Sequence, residues 1–183
     1  MITKLSIANF KSIKQLDIDC KKVNVFVGEP NAGKSNILEA LGLLSWCDGS
    51  GPGSLRDYVR FQSIQNLFYD QLLDQAISVS LLGSSSAEVH VGHVNDRFEF
   101  RKGAGSDVFA TMDYEGNMSL GLCTQLSKIR FYRFMDLPRY DDKEAGSLMP
   151  PNGTDLFSVV FTSETLRDTK GVLQKRQHRP YRH

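Results

Sequence analysis

Apolar and polar residues alternate with a period of two at the start of the chain. Residues 4–10 set Leu5 and Ile7 between polar neighbours, and residues 15–20 set Leu16 and Ile18 against Gln15, Asp17 and Asp19. Both stretches predict strands with one buried face. Residues 23–27, VNVFV, are nearly continuous in apolar residues and predict a central strand covered on both faces. After a short glycine-containing segment the period changes: Ile37, Leu38, Leu41 and Leu44 recur at helical spacing, so a helix is expected to begin near Lys34. Residues 55–73 suit one or two short amphipathic helices, with Ser54 as N-cap after the break at residues 48–53.

From Ala76 the period returns to two. Residues 77–81, 89–92, 97–100 and 108–114 are short alternating stretches separated by Ser-, Asn-Asp- and Gly-rich turns, which predicts an antiparallel meander. A hairpin turn is expected at Glu115, Gly116 and Asn117. Residues 129–134 read as another strand, and residues 154–167 as a helix capped by Asn152 or Thr154.

Composition narrows the function classes. The 183 residues, 40% hydrophobic and 23% charged, suit a soluble globular chain, and no run approaches the ~18 apolar residues of a membrane helix. The N-terminus lacks a signal-peptide core, and the three widely spaced cysteines, Cys20, Cys47 and Cys123, fit small buried thiols in a reducing, cytoplasmic setting. His90 and His93 are three apart on an expected strand and point to opposite faces, so they are not a metal pair. Tyr132, Arg133, Arg139 and Tyr140 are read as strand core and solvated edge before a nucleic-acid patch. The net charge of +1 hides a basic end, where residues 167–183 hold six basic side chains and one acid.

The segment between the third expected strand and the helix carries the chemistry. Gly28, Glu29, Pro30, Asn31, Ala32, Gly33, Lys34 and Ser35 match G-x-x-x-x-G-K-[ST], with Asn36 following. A chance match in a chain of this length has a probability on the order of 1%. The glycines let the backbone curl around an anion, and the helix start contributes the positive end of its dipole. Lys34 reaches the outer phosphates of a nucleotide, and the Ser35 hydroxyl is the Mg²⁺ ligand.

Residues 3–44, with Asn9-Phe10-Lys11-Ser12, the Leu16–Asp19 alternation, the loop ending GKSN and the helix ILEAL, resemble the N-terminal lobe of ABC-type ATPase heads of the SMC, RecF and OLD families. They look most like the RecF/OLD-like AAA ATPases of DNA repair and phage defence. Residues 67–70, 129–134 and 148–156 are similar to shorter downstream landmarks of these families. The resemblance implies an α/β P-loop NTPase lobe of ABC-ATPase-head type, with an antiparallel β meander and the start of a helical lobe. The nucleotide-binding lobe then spans residues 1–135, with the phosphate loop at 28–36 and the meander at about 76–122. Residues 136–183 begin the helical lobe and end in the basic tail.

The resemblance also implies bound ATP and Mg²⁺, a homodimer closed around nucleotide, and a DNA or nuclease partner. It places Lys11 close to the nucleotide and Phe10 in the core. The commoner loop of these families is G-P-N-G-A-G-K-S, so that Asn31 stands one position later here.

Other parts of such an ATPase are not found in the sequence. No apolar run ends in the Asp-Glu pair that holds Mg²⁺ and orients the attacking water, and no signature loop or Q-loop is recognisable. The favoured expectation is the N-terminal portion of a longer ATPase, with the tail after Gln174 non-native and little hydrolysis by this chain alone. The alternatives are a nucleotide-gated interaction module without catalysis and a complete small P-loop kinase or NTPase.

Overall fold

The computed structural model describes residues 1–47, 54–84, 86–103, 107–121 and 129–132. All of these but Tyr132 belong to one compact unit, Met1–Phe131. Seven strands form a single sheet: β1 (Ile2–Phe10), β2 (Ile13–Asp19), β3 (Ile77–Gly83), β4 (Ala87–Val94), β5 (Arg97–Arg101), β6 (Val108–Met112) and β7 (Met118–Gly121). Their order is β2-β1-β3-β4-β5-β6-β7, and every neighbouring pair is antiparallel. The expected meander is present, and β1 and β2 extend it.

The register puts like with like. Leu16, Ile7, Val79 and Val89 are consecutive cross-strand partners, as are Ile77, Val91, Phe100 and Ala110. Along each strand these apolar positions recur every second residue and so share one face of the sheet. The opposite face carries Ser6, Asp17, Ser80, Glu88 and Glu99, with ion pairs Lys4–Asp17 at 3.1 Å and Arg101–Glu99 at 2.5 Å. Hydrogen bonds from Ser6 and Lys4 hold the Asp17 carboxyl down at about 2.

The buried face is roofed by one long helix, α1 (Lys34–Cys47), and by a run of short turns. α1 sends Ala40, Leu43, Leu44 and Cys47 into the core, and Trp46 meets Phe100 edge to face at 5.5 Å between centroids. Its buried stripe is therefore rotated from the 37, 38, 41, 44 positions of the sequence reading: Ile37 and Leu41 are half-buried and Leu38 is exposed. Residues 55–73 are not the amphipathic helices expected. They form a four-residue helix, α2 (Leu55–Tyr58), and two 3₁₀ turns, Ile64–Leu67 and Tyr69–Gln71. Left-handed φ at Asp70 and Gln71 and extended backbone at Val59 and Phe68 break the helical run, while Leu55, Tyr58, Ile64, Leu67 and Phe68 still fill the core. Ser54 caps α2 as expected, its N–H donating to Asp57 Oδ2 at 2.7 Å.

Two further strand expectations are corrected. Residues 23–27 carry no strand ladder, and Val23, Val25 and Val27 are 75, 77 and 88% exposed. The described sheet is antiparallel throughout and ends at β2, and residues 23–27 pair with none of its strands. The parallel sheet that a P-loop strand normally joins is not among the described residues. Residues 129–132 are likewise not in a ladder: Ser45 Oγ on α1 donates to Ile129 O at 3.2 Å and accepts from the Phe131 N–H at 3.1 Å. The turn at 115–117 is as expected, with Asp113 Oδ1 accepting from the Asn117 N–H at 2.8 Å. Cys123, residues 133–134, Arg139, Tyr140, the 148–156 landmark, the 154–167 helix and the basic tail lie outside the described residues.

Candidate functional site

The phosphate loop lies between the exposed residues 23–27 and the first turn of α1. Two of its residues have left-handed backbone, Asn31 at φ +63° and Gly33 at φ +82°. Asparagine is one of the few side-chain-bearing residues that adopts this region readily. Asn31 stands where the commoner family loop has its fourth-position glycine, and its conformation explains the exchange. Gly33 is constrained twice, since a β-carbon there would also come within 3.1 Å of Ser12 Oγ.

The loop closes on itself before entering the helix. The Ala32 N–H donates to Glu29 O at 3.3 Å, and the Asn36 N–H donates to Gly33 O at 2.9 Å. Lys34 folds back along the loop, its Nζ donating to Gly28 O at 2.8 Å and to Glu29 O at 2.5 Å. The Lys34 ammonium is thus held over the segment from the first glycine to the helix start. Ser35 is exposed at the first turn of α1. The Asn36 amide donates to Ser12 Oγ at 2.7 Å and so ties the β1–β2 turn to the loop.

These residues border a cavity of about 270 Å³, formed by residues 31–36, Ser12 and Arg60. A larger cavity of about 390 Å³ lies between Phe26, Leu38, Leu41 and the β1–β2 end of the sheet. It is mostly apolar, whereas the smaller cavity has the donors and positive charge that phosphate needs, and a third, of about 360 Å³, adjoins Lys11, Ser12 and Arg60. Of the residues expected in the site, 31–36 border the cavity of about 270 Å³, and Gly28 and Glu29 meet Lys34 Nζ through their carbonyls.

Lys11 sits beside this cavity in an ion cluster of its own. The β1–β2 turn holds Lys11 at φ +52°, and its Nζ donates to Glu39 Oε2 and, at 2.5 Å, to Arg60 O. Arg60 Nε donates to Glu39 Oε1 at 2.6 Å, and the Arg60 N–H to Glu39 Oε2 at 3.3 Å. Burial alone raises the Glu39 carboxyl, but the hydrogen bonds from Lys11 and Arg60 outweigh it and hold it below the usual carboxylate range. Phe10 is fully buried, as expected.

The sequence reading missed Ser12, Glu39 and Arg60. One signal was available for Glu39: it falls four residues before Leu43 and eight before Cys47, inside the apolar stripe, where a carboxylate calls for partners. Nothing in the sequence marks Arg60, which lies just beyond α2 and borders the cavity only in the folded chain. Among the described residues no three His, Cys, Asp or Glu side chains group as a metal site. His90 pairs with Glu88 at 2.8 Å and His93 with the Tyr114 hydroxyl at 2.9 Å. No described helix is long and apolar enough to cross a membrane.

Comparison with known proteins finds similarity over a region that includes this site. Residues 1–66 match the AAA ATPase domain family. The DNA replication and repair protein RecF of Bacteroides thetaiotaomicron is 38% identical over 52 residues, covering 28% of this chain and 14% of RecF. The DNA repair protein RecN of Haemophilus influenzae is 50% identical over 44 residues, 24% of this chain and 8% of RecN. An uncharacterized protein of Methanocaldococcus jannaschii is 32% identical over 108 residues, 54% of this chain and 49% of that protein. The match spans half or less of each of these relatives. Residues 1–66 hold the loop, the β1–β2 turn that braces it and Arg60 at its rim, and over this region the chain resembles RecF/SMC-like AAA ATPases.

Proposed function

We propose that residues 28–36 bind the phosphates of ATP, with Mg²⁺ at Ser35, as the nucleotide-binding part of a RecF/OLD-like ATPase of ABC-head type that serves DNA repair or phage defence. The observation that carries this is the left-handed Asn31 and Gly33 leading into the N-terminus of a 14-residue helix, with Lys34 folded over the loop. The residues fit the ligand. A helix start, an ammonium and an exposed guanidinium border one small polar cavity, which is the donor set that phosphate oxygens require. Lys34 would exchange its two loop carbonyls for phosphate oxygens, and Ser35 would offer its hydroxyl to the metal. Mg²⁺ held by Ser35 would supply positive charge against the phosphates.

The names of RecF and RecN support the DNA-repair setting. Closure of a homodimer around nucleotide, with DNA or a nuclease as effector, belongs to the same proposal. Hydrolysis by this chain alone is expected to be negligible, because its sequence supplies no carboxylate pair for metal and water. A nucleotide-gated interaction module is the second reading, supported by the same lack. ATP titration by calorimetry tests the site: Lys34→Ala should abolish measurable binding, and equal affinity in wild type and variant would overturn it. Steady-state phosphate release near ~1 s⁻¹ would instead favour a complete small NTPase.

A further inference from the structure

Glu39 is a carboxylate in an apolar stripe. Its side chain is 2% exposed, beside Ala40 and Leu43, where an apolar residue of similar size would pack without any charge to compensate. The phosphate chemistry described above does not use it. It lies one helical turn after Ser35, on the same side of α1. Its two oxygens gather groups from two other segments: Lys11 from the β1–β2 turn, and both the N–H and Nε of Arg60 from the segment after α2. Lys11 closes the triangle by donating to Arg60 O.

The consequence falls on Arg60. Its side chain is 64% exposed, a setting in which a long arginine would ordinarily sample many rotamers. Here Nε is fixed to Glu39 at 2.6 Å, and the residue borders the same cavity as Gly33, Lys34 and Ser35. A guanidinium is a planar fork whose donors have a fixed relation to one another, so anchoring Nε also orients the rest of the group.

We propose that Glu39 is a positioning residue for nucleotide binding: it anchors Arg60 through Nε at the rim of the phosphate cradle, so that the guanidinium meets the outer phosphates opposite Lys34. This rests on the cradle reading above. It also sets Glu39 apart from simple electrostatics, since removing a negative charge beside an anion site would by itself tighten anion binding.

Calorimetric titration of the full chain with ATP and with AMP tests the proposal, using wild type, Lys34→Ala, Arg60→Ala, Arg60→Lys, Glu39→Gln and the Glu39→Gln/Arg60→Ala pair. Arg60→Ala and Glu39→Gln should each weaken ATP by about tenfold or more, the scale of one charge-assisted contact. AMP affinity should change little. The double variant should be no weaker than either single one, because both act through the same contact. Arg60→Lys should not restore binding, for it keeps the charge but loses the Nε anchor. ATP affinity at or above the wild-type value in Glu39→Gln, additive losses in the pair, or full rescue by lysine would overturn the proposal. Should Glu39→Gln fail to fold, the exposed Arg60→Ala carries the test, and unchanged ATP affinity there overturns it. If Lys34→Ala abolishes binding while the Arg60 and Glu39 variants bind as wild type, only the positioning role fails. If wild type binds no ATP, or Lys34→Ala binds as wild type, the cradle reading fails and this proposal with it.

Discussion

Strand β3 and residues 23–27 carry the same kind of sequence and end in opposite environments. In β3, Ile77 and Val79 are fully buried, and the strand is laddered to β1 on one side and to β4 on the other. In residues 23–27 the three valines alternate just as regularly, yet they face solvent, and only Phe26 is half-buried, lining a cavity with Leu38 and Leu41. Intrinsic preference cannot separate the two, because β-branched residues suit a pleated surface in both. The difference is the neighbours. β3 lies between two strands in register with it, whereas residues 23–27 lead from the sheet to the phosphate loop past the last described strand. A β-pattern in sequence marks the capacity to join a sheet, and the sheet is completed by other segments.

The contrast is most easily broken in the core. Phe98, packed against Phe68 at 5.6 Å and Tyr114 at 5.0 Å between centroids, belongs to the side of β3. Phe98→Ala should cost about 3–5 kcal/mol in urea unfolding, whereas Val25→Ala should stay within about 0.5 kcal/mol. A Val25→Ala loss comparable with that of Phe98→Ala would show residues 23–27 packed in solution.

A middle-sized effect is expected where the helix after the loop meets the roof of the sheet. A β-carbon at Gly42 would lie 2.8 Å from Tyr58 O, a backbone atom that cannot swing aside. Gly42→Ala should therefore lower the unfolding free energy by about 1–3 kcal/mol, even though alanine is the better helix former by about 1 kcal/mol. Stabilisation would mean that α1 and α2 are free to separate.

The smallest effect concerns the loop itself. Asn31→Ala should destabilise by about 1 kcal/mol, because alanine lacks the short polar side chain that eases left-handed backbone for asparagine, while Asn31→Gly should be neutral within about 0.5 kcal/mol. Thermal or urea unfolding of both variants resolves this. If glycine proved as harmful as alanine, the Asn31 side chain would be the feature the loop needs, and not its φ.

Much of this was legible in advance where short-range chemistry decides. The meander from Ile77 onward, the Ser54 cap, the 115–117 turn and the helix start at Lys34 each depend on residues within a few positions of one another, and each is found where the sequence places it. Asn9 shows the limit. Strict alternation after Leu5 and Ile7 points Asn9 inward, but its backbone is left-handed, at φ +55°, and Phe10 is buried instead. The orientation of α1 was also misjudged, because its apolar residues occur nearly all round and only contact with the sheet selects a face.

The sequence by itself determined the G-x-x-x-x-G-K-[ST] motif, the period-two stretches and the start of the helix after the motif, since all of these follow from local backbone and side-chain chemistry. The tertiary structure decided which alternating stretch becomes a strand, and that Ser45 and not a ladder holds residues 129–131. It also decided that Lys11, Glu39 and Arg60, from three separate segments, share one buried ion cluster at the rim of the cradle. Such choices rest on contacts between residues distant in the chain, and a buried charge reveals its partners only when the fold brings them within hydrogen-bonding distance.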